Sequence, residues 1–181
     1  MDASPQTPHK VCAVESRTLR QVCGLFVTGV TVVTTGTDGR AVGTTVNSFA
    51  SVSLDPPLVL FCIHHQSRLR PELKGAGKFA VNLLARRQER LARAFAGRQT
   101  ANFDEVVYHR GAPGMPILSE ALAYVACEFV EEYPGGDHAI VLGHVIELGI
   151  PRQRQEPLIF FQGSFEALED ELRAVSSIWD G

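Results

Sequence analysis

The sequence predicts a mainly β chain, an antiparallel barrel with a few peripheral helices. Three observations carry that expectation. About six or seven short runs rich in Val, Thr and Ile read as strands, most of them joined by hairpin-length turns. The helical stretches are inserted between strands without alternating with them, which argues against a doubly wound parallel sheet. No G-x-G-x-x-G opens a helix after a strand, so a Rossmann dinucleotide site is not indicated. Closing an antiparallel sheet into a barrel removes its exposed edges, and the mouth or a dimer seam then offers the cleft.

Taken in order, Ser16 reads as the N-cap of a short helix with Leu19, Val22, Cys23 and Phe26 at helical spacing. Residues 28–35 are rich in Val and Thr and read as a strand. Thr37-Asp38-Gly39-Arg40 forms a turn, and residues 41–46 return as the second arm of a hairpin. Asp55-Pro56-Pro57 interrupts the pattern, because proline cannot donate to a sheet ladder. Residues 58–63 (LVLFCI) read as a buried strand, and residues 78–84 (KFAVNLL) as another, entered through Gly75-Ala76-Gly77. Residues 86–96 are predicted helical, with Leu84, Gln88, Leu91 and Phe95 along one face. Residues 97–119 are loop-rich. Two long strands follow over 122–133 and 138–148, joined by Pro134-Gly135-Gly136-Asp137. A last strand over 157–162 leads to an acidic helix near 166–178.

The 181 residues suit one domain, expected over residues 15–181 behind a disordered polar leader at 1–14. A composition of 45% apolar and 20% charged residues is that of an ordinary soluble globular protein. With a net charge of −3 and no Lys/Arg stripe, nucleic acid and membrane surfaces are not the expected partners. The basic stretch 86–98 also carries Glu89 and reads as a solvated helix face. Cys12, Cys23, Cys62 and Cys127 form no C-x-x-C pair, so free thiols are expected and no structural metal. Cys62-Ile63-His64-His65 resembles half a metal site, but no second cluster completes it. The N-terminus lacks the apolar core of a signal peptide, and no window approaches the roughly 18 apolar residues of a span. A cytoplasmic location is expected.

The densest chemical signal is residues 41–57, AVGTTVNSFASVSLDPP. Thr44, Thr45, Asn47, Ser48, Ser51 and Ser53 crowd between two strand-like runs. Such a wall of neutral donors suits a phosphate and the polar edge of a flat heterocycle; the plainer reading is strand and turn. GAGK at 75–78 is not a P-loop, because Glu72 stands where its first Gly belongs and Phe79 where Ser or Thr should follow. Neither G-x-S-x-G nor H-E-x-x-H occurs. His138, after a Gly-rich turn, reads either as a hairpin residue or as part of a site.

Six blocks in order carry a family resemblance: F-x-TGVTVVT (26–34), GTTVNSFASVSLDPPLVLFCI (43–63), FAVNLL (79–84), LARAFAG (91–97), YPGGDHAIVLG (133–143) and PLIFFQGSF (157–165). Together they resemble the short-chain flavin reductases, the reductase components of two-component flavin-dependent monooxygenases. The likeness runs from about residue 16 to 168 and is strongest toward reductases of actinomycete natural-product pathways. It implies the FMN-binding split barrel, a Greek-key type of antiparallel barrel, as a homodimer with flavin near the subunit interface.

By the same resemblance, Thr31, Val32 and Val33 and the segment Thr45, Val46, Asn47 and Ser48 would line the isoalloxazine. Ser51, Ser53, Ser67 and Arg68 would reach the ribityl chain and phosphate. Cys62 and Ile63 would flank the ring, Asn82 and Phe103 would close the pocket, and His138 would lie near the nicotinamide. The implied reaction passes a hydride from NADH, or NADPH, to FAD or FMN, supplying reduced flavin to a partner monooxygenase in a natural-product or aromatic-compound pathway. Two other readings of the barrel remain open here: a non-catalytic flavin- or haem-binding carrier, and an oxidase acting on pyridoxamine phosphate.

Overall fold

In the computed structural model, which describes residues 11–36, 40–96, 103–111, 114–150 and 155–168, helix α1 (Ser16–Cys23) comes first. Strands β1 (Thr28–Gly29), β2 (Thr31–Thr35), β3 (Val42–Val46), β4 (Ala50–Leu54) and β5 (Pro57–His64) follow. Next come helix α2 (Leu69–Ala76), strand β6 (Lys78–Leu83), a single turn over Arg86–Gln88 and helix α3 (Glu89–Ala96). The second half holds β7 (Tyr108–Arg110), β8 (Pro116–Leu118), β9 (Ala123–Gly135), β10 (His138–Gly149), β11 (Ile159–Phe161) and β12 (Ser164–Glu166).

Seven strands form the main sheet in the order β3-β2-β6-β9-β10-β5-β4, and every neighbouring pair is antiparallel. The two end strands, β3 and β4, are consecutive in sequence. The sheet curls until β3 lies near β5 without pairing to it, so the barrel stays open along one seam.

Strand β2 shows why a run of Val and Thr without polar alternation belongs in this fold. Val33 packs inward with Phe61, Phe79, Val81 and Val141, while Val32 faces a second cluster with Leu84, Ala92, Phe95 and Leu158. Both faces of the strand are covered, so all five of its residues are buried. In β5 the alternation is legible, with Val59, Phe61 and Ile63 buried and Leu58, Leu60 and Cys62 half-buried on the other face.

The structure differs from the sequence expectations in several places. Ser16 is the first residue of α1, and Glu15, with extended backbone, occupies the N-cap. No residue of α1 is buried. Its apolar face is uncovered in the single chain, with Val22 62% and Phe26, just beyond it, 77% exposed.

The interruption expected at Asp55-Pro56-Pro57 is short: residues 50–54 form β4, Asp55 and Pro56 make a tight turn, and Pro57 opens β5, a strand end that tolerates proline. Residues 69–76 form an α-helix that the Pro71 and Gly75 signals concealed. Pro71 sits in its first turn, where a missing N–H costs nothing, and Gly77 ends it at φ +64. Within the expected loop over 97–119, β7 and β8 pair as a small hairpin.

The turn expected over 134–137 shrinks to Gly136 and Asp137, with Gly136 at φ +75. Glu166, expected to open a helix, closes β12; the rest of that expected helix from residue 169 onward lies outside the described residues. So do residues 37–39 of the first hairpin turn and the first ten residues of the expected leader.

Candidate functional site

A cleft of about 720 Å³ lies along the open seam. One wall is β3 with Asn47 and Ser48. The other is built from Cys62, Ile63 and His64 at the end of β5, together with His138 at the start of β10. Gln66, Ser67 and Arg68, and Leu69 and Glu72 of α2, close one side, while Arg40 and Ala96 lie at the margin. Because β3 is an edge strand, one side of its backbone has no ladder partner in the sheet. An edge of amide groups at fixed spacing can hydrogen-bond the rim of a planar heterocycle.

The hydroxyls that dominate the sequence signal are largely committed within the protein. Thr45 Oγ1 donates to Ala92 O at 2.7 Å and Thr44 Oγ1 to Phe95 O at 3.5 Å, seating α3 against β3. Thr31 Oγ1 donates to Val46 O at 2.9 Å, and Asn47 Nδ2 donates to Thr28 Oγ1 at 3.2 Å. Ser48 works as a staple across the seam. Its Oγ accepts from Cys62 N–H at 2.9 Å and donates to Cys62 O at 3.1 Å, doing for the two walls what a sheet ladder would.

Of the residues expected at the site, Thr45, Val46, Asn47, Ser48, Cys62, Ile63, Ser67, Arg68 and His138 meet in this cleft. The others do not. Val32 and Val33 are fully buried core residues, and Thr31 borders a separate, smaller groove with Phe26, Phe49 and Leu122. Ser51 and Ser53 lie on β4, outside the cleft.

Asn82 is fully buried between strands, with its carboxamide engaged by β2 and β8. Phe103 packs edge-to-face on Phe95 and Tyr108 in the core beneath α3. Neither lines the cleft, and polar partners and ring packing account for their positions.

The sequence reading missed Arg40, His64, Gln66, Glu72 and Ala96. His64 was legible in principle, since the antiparallel register of β5 and β10 places it directly opposite His138. Glu72 was hidden with the helix that carries it.

Two histidines and a carboxylate mark the lip. His138 Nδ1 lies 2.7 Å from Asp137 Oδ1, and the His64 and His138 rings meet edge-to-face with centroids 5.2 Å apart. The hydrogen bond from His138 holds the Asp137 carboxyl below the usual carboxylate range. Among the described residues, no three His, Cys, Asp or Glu side chains gather as a metal site, and no helix is long and apolar enough to cross a membrane.

Helix α2, which carries one side of the cleft, is tied to the sheet by Glu132 of β9. Arg70 Nε donates to Glu132 Oε2 at 3.1 Å, and Lys74 Nζ lies 2.7 Å from Oε1. Hydrogen bonds from Arg70 and then Lys74 pull the Glu132 carboxyl down to about 2. An unfolded glutamate titrates near about 4.3, so this tether stabilises fully above that pH and is lost as pH falls toward the folded value. Glu132→Gln is expected to cost about 1–2 kcal/mol at neutral pH and to flatten the acid limb of stability between about pH 4 and 2. Thermal melts across that range test it; an unchanged acid limb in the variant would refute the assignment.

Comparison with known proteins agrees with this geometry. A family model described as a flavin reductase like domain matches residues 23–169. The reductase subunit HsaB of a flavin-dependent monooxygenase from Mycobacterium tuberculosis is 37% identical over 159 residues, covering 87% of this chain and 85% of that protein. An NADH-dependent flavin reductase of a Rhodococcus species is 38% identical over 154 residues, 83% of this chain and 85% of its own length.

Among solved structures, a Streptomyces globisporus NADH:FAD oxidoreductase in complex with NAD and FAD fragments is similar with a TM-score of 0.83. It is 38% identical, and the match covers 90% of this chain and 99% of that one. The open-seamed barrel is therefore the split barrel of the flavin reductases. With most of its length matched, and with relatives matched over most of their own length, the chain belongs to the flavin reductase like family.

Proposed function

We propose that this protein is an NADH-dependent flavin reductase that supplies reduced FAD or FMN to a separate monooxygenase, and that residues 15–181 form one such domain. The observation that carries the reading is the sharing of one cleft by an edge strand, β3, and an Asp-held histidine, His138. The cleft fits the group. Its volume falls within the usual range for small-molecule sites, Arg40 and Arg68 line it for phosphate charge, and its other groups are mostly neutral.

Flavin, when bound, supplies the hydride-accepting chemistry. The protein binds and orients. The backbone N–H groups along Thr45, Val46, Asn47 and Ser48 that face away from β2 would hydrogen-bond the polar edge of the ring and stabilise negative charge on it. Ser67 and Arg68 would hold the ribityl and phosphate end, and Cys62 and Ile63 would pack on the ring. His138 positions the nicotinamide without an obligatory proton transfer. His138→Ala is expected to raise KM for NADH about tenfold while leaving flavin affinity within about twofold. Steady-state kinetics and flavin titration separate the two; no change in either would remove His138 from the site.

The functional chain is a homodimer in this reading. The exposed Leu19, Val22, Leu25 and Phe26 form an apolar face at α1 that a second copy would cover. Light scattering should return twice the chain mass. The free thiols Cys23, Cys62 and Cys127 fit the reducing cytoplasm as its location. The direct test follows oxidation of NADH or NADPH with FAD, FMN or no flavin. Rapid oxidation only with added flavin supports a reductase that releases its product. Flavin binding without any oxidation would leave a carrier instead.

A further inference from the structure

The two histidines at the lip carry opposite tautomers. Gln66 N–H donates to His64 Nδ1 at 3.1 Å, and because an amide N–H only donates, that nitrogen is an acceptor. The remaining nitrogen of His64, Nε2, therefore carries the proton. In His138 the order is reversed. The Asp137 carboxylate only accepts, so His138 Nδ1 is the donor and its Nε2 is left with a lone pair in the neutral ring. Among the described residues neither Nε2 has a protein partner.

Direct opposition across β5 and β10 keeps the two rings together, and both border the cleft. The two rings, with centroids 5.2 Å apart at the cleft, thus bring together one nitrogen able to donate and one able to accept. A primary carboxamide has the complementary pair, a carbonyl that accepts and an N–H that donates.

The geometry points to His64 as a second nicotinamide-recognition residue, its Nε2–H donating to the carboxamide oxygen while His138 Nε2 accepts from the carboxamide N–H. This rests on the reductase reading and adds to it a residue on a different strand and the substrate group that it reads. A clamp of this kind selects the carboxamide of the hydride donor, a group that flavin lacks. His64 is exposed, so replacing it removes the donor without disturbing the core.

The test uses the full chain with NADH and with its acetylpyridine analogue, in which a methyl ketone replaces the carboxamide. The analogue keeps the carbonyl and lacks the N–H. His64→Phe is expected to raise KM for both donors about tenfold, with kcat and flavin affinity held within about twofold. His64→Gln, whose amide N–H lies near the position of Nε2, should recover most of that loss. His138→Ala should penalise NADH and spare the analogue.

A His64→Phe variant with unchanged KM beside a fully active wild type would overturn the clamp alone. So would a His64→Gln variant as impaired as His64→Phe. A wild type that oxidises neither donor with any flavin would overturn the reductase reading, and the clamp with it.

Discussion

Asn82→Ala is expected to lower the melting temperature by roughly 6–12 °C, a loss of about 3 kcal/mol in a domain of this size. The side chain is fully buried on β6. Its Nδ2 donates to Val32 O and to Thr34 Oγ1, each at 3.0 Å, and its Oδ1 accepts from Leu118 N–H at 2.8 Å. Thr34 Oγ1 in turn donates to Pro116 O at 2.6 Å, so one carboxamide ties β8 to the centre of the barrel.

Truncation leaves the Leu118 N–H without its acceptor and opens a void where water has no easy entry. Both effects destabilise, and the unmet donor alone costs about 1–3 kcal/mol. Flavin affinity, measured well below the melting temperature, should stay within about twofold. A variant that melts like the wild type but no longer binds flavin would return Asn82 to the pocket that the sequence resemblance assigned it.

Gly143→Val should be worse, with loss of soluble folded protein or a destabilisation of more than about 4 kcal/mol. The cause is proximity, not backbone conformation. A Cβ at this position would stand 2.4 Å from Phe79 Cζ and 3.0 Å from Cys127 Cβ. Phe79 cannot retreat, being fully buried and held edge-to-face on Phe61 at 5.3 Å. The register of β9 and β10 also shifts between Leu142 and Gly143, which places this glycine at a bulge. Circular dichroism and the soluble yield of the variant measure the effect. A normal melt would mean that the core at Phe79 is looser than the packing implies.

These two positions show what the sequence could and could not reveal. Strands β5, β6, β9 and β10 were legible because each is long and apolar, and the turn at Gly136 was marked by its glycines. Helix α2 was not, since its eight residues contain Pro71 and Gly75, two residues that usually signal a loop. Strand β4 was hidden by a polar alternation that reads equally well as a turn.

For the site, Thr44, Thr45, Asn47 and Ser48 line the cleft while Ser51 and Ser53 of the same block do not, and the hydroxyls that make the block conspicuous are largely engaged within the protein. Sequence shows that Thr45 and Ser48 have hydroxyls. It does not show that Ala92 and Cys62 have already engaged them. Asn82 is a parallel case, because a buried carboxamide with three partners and a ligand-binding one look alike in a string of letters. His64 was passed over because its significance lies in a cross-strand neighbour, His138, 74 positions away in the chain.

The consecutive strands β3 and β4 at opposite ends of one sheet have a consequence for how the site comes into being. The sheet is a ribbon whose two ends are buckled together by residues 47–49 and the Ser48 hydroxyl. No cleft exists until the ribbon has been rolled and the buckle fastened, so every other strand must be in place before a ligand finds both walls. In refolding, recovery of flavin binding would then trail recovery of strand content, and a ligand spanning the two walls would act as a pin through the buckle, stabilising the whole roll by mass action.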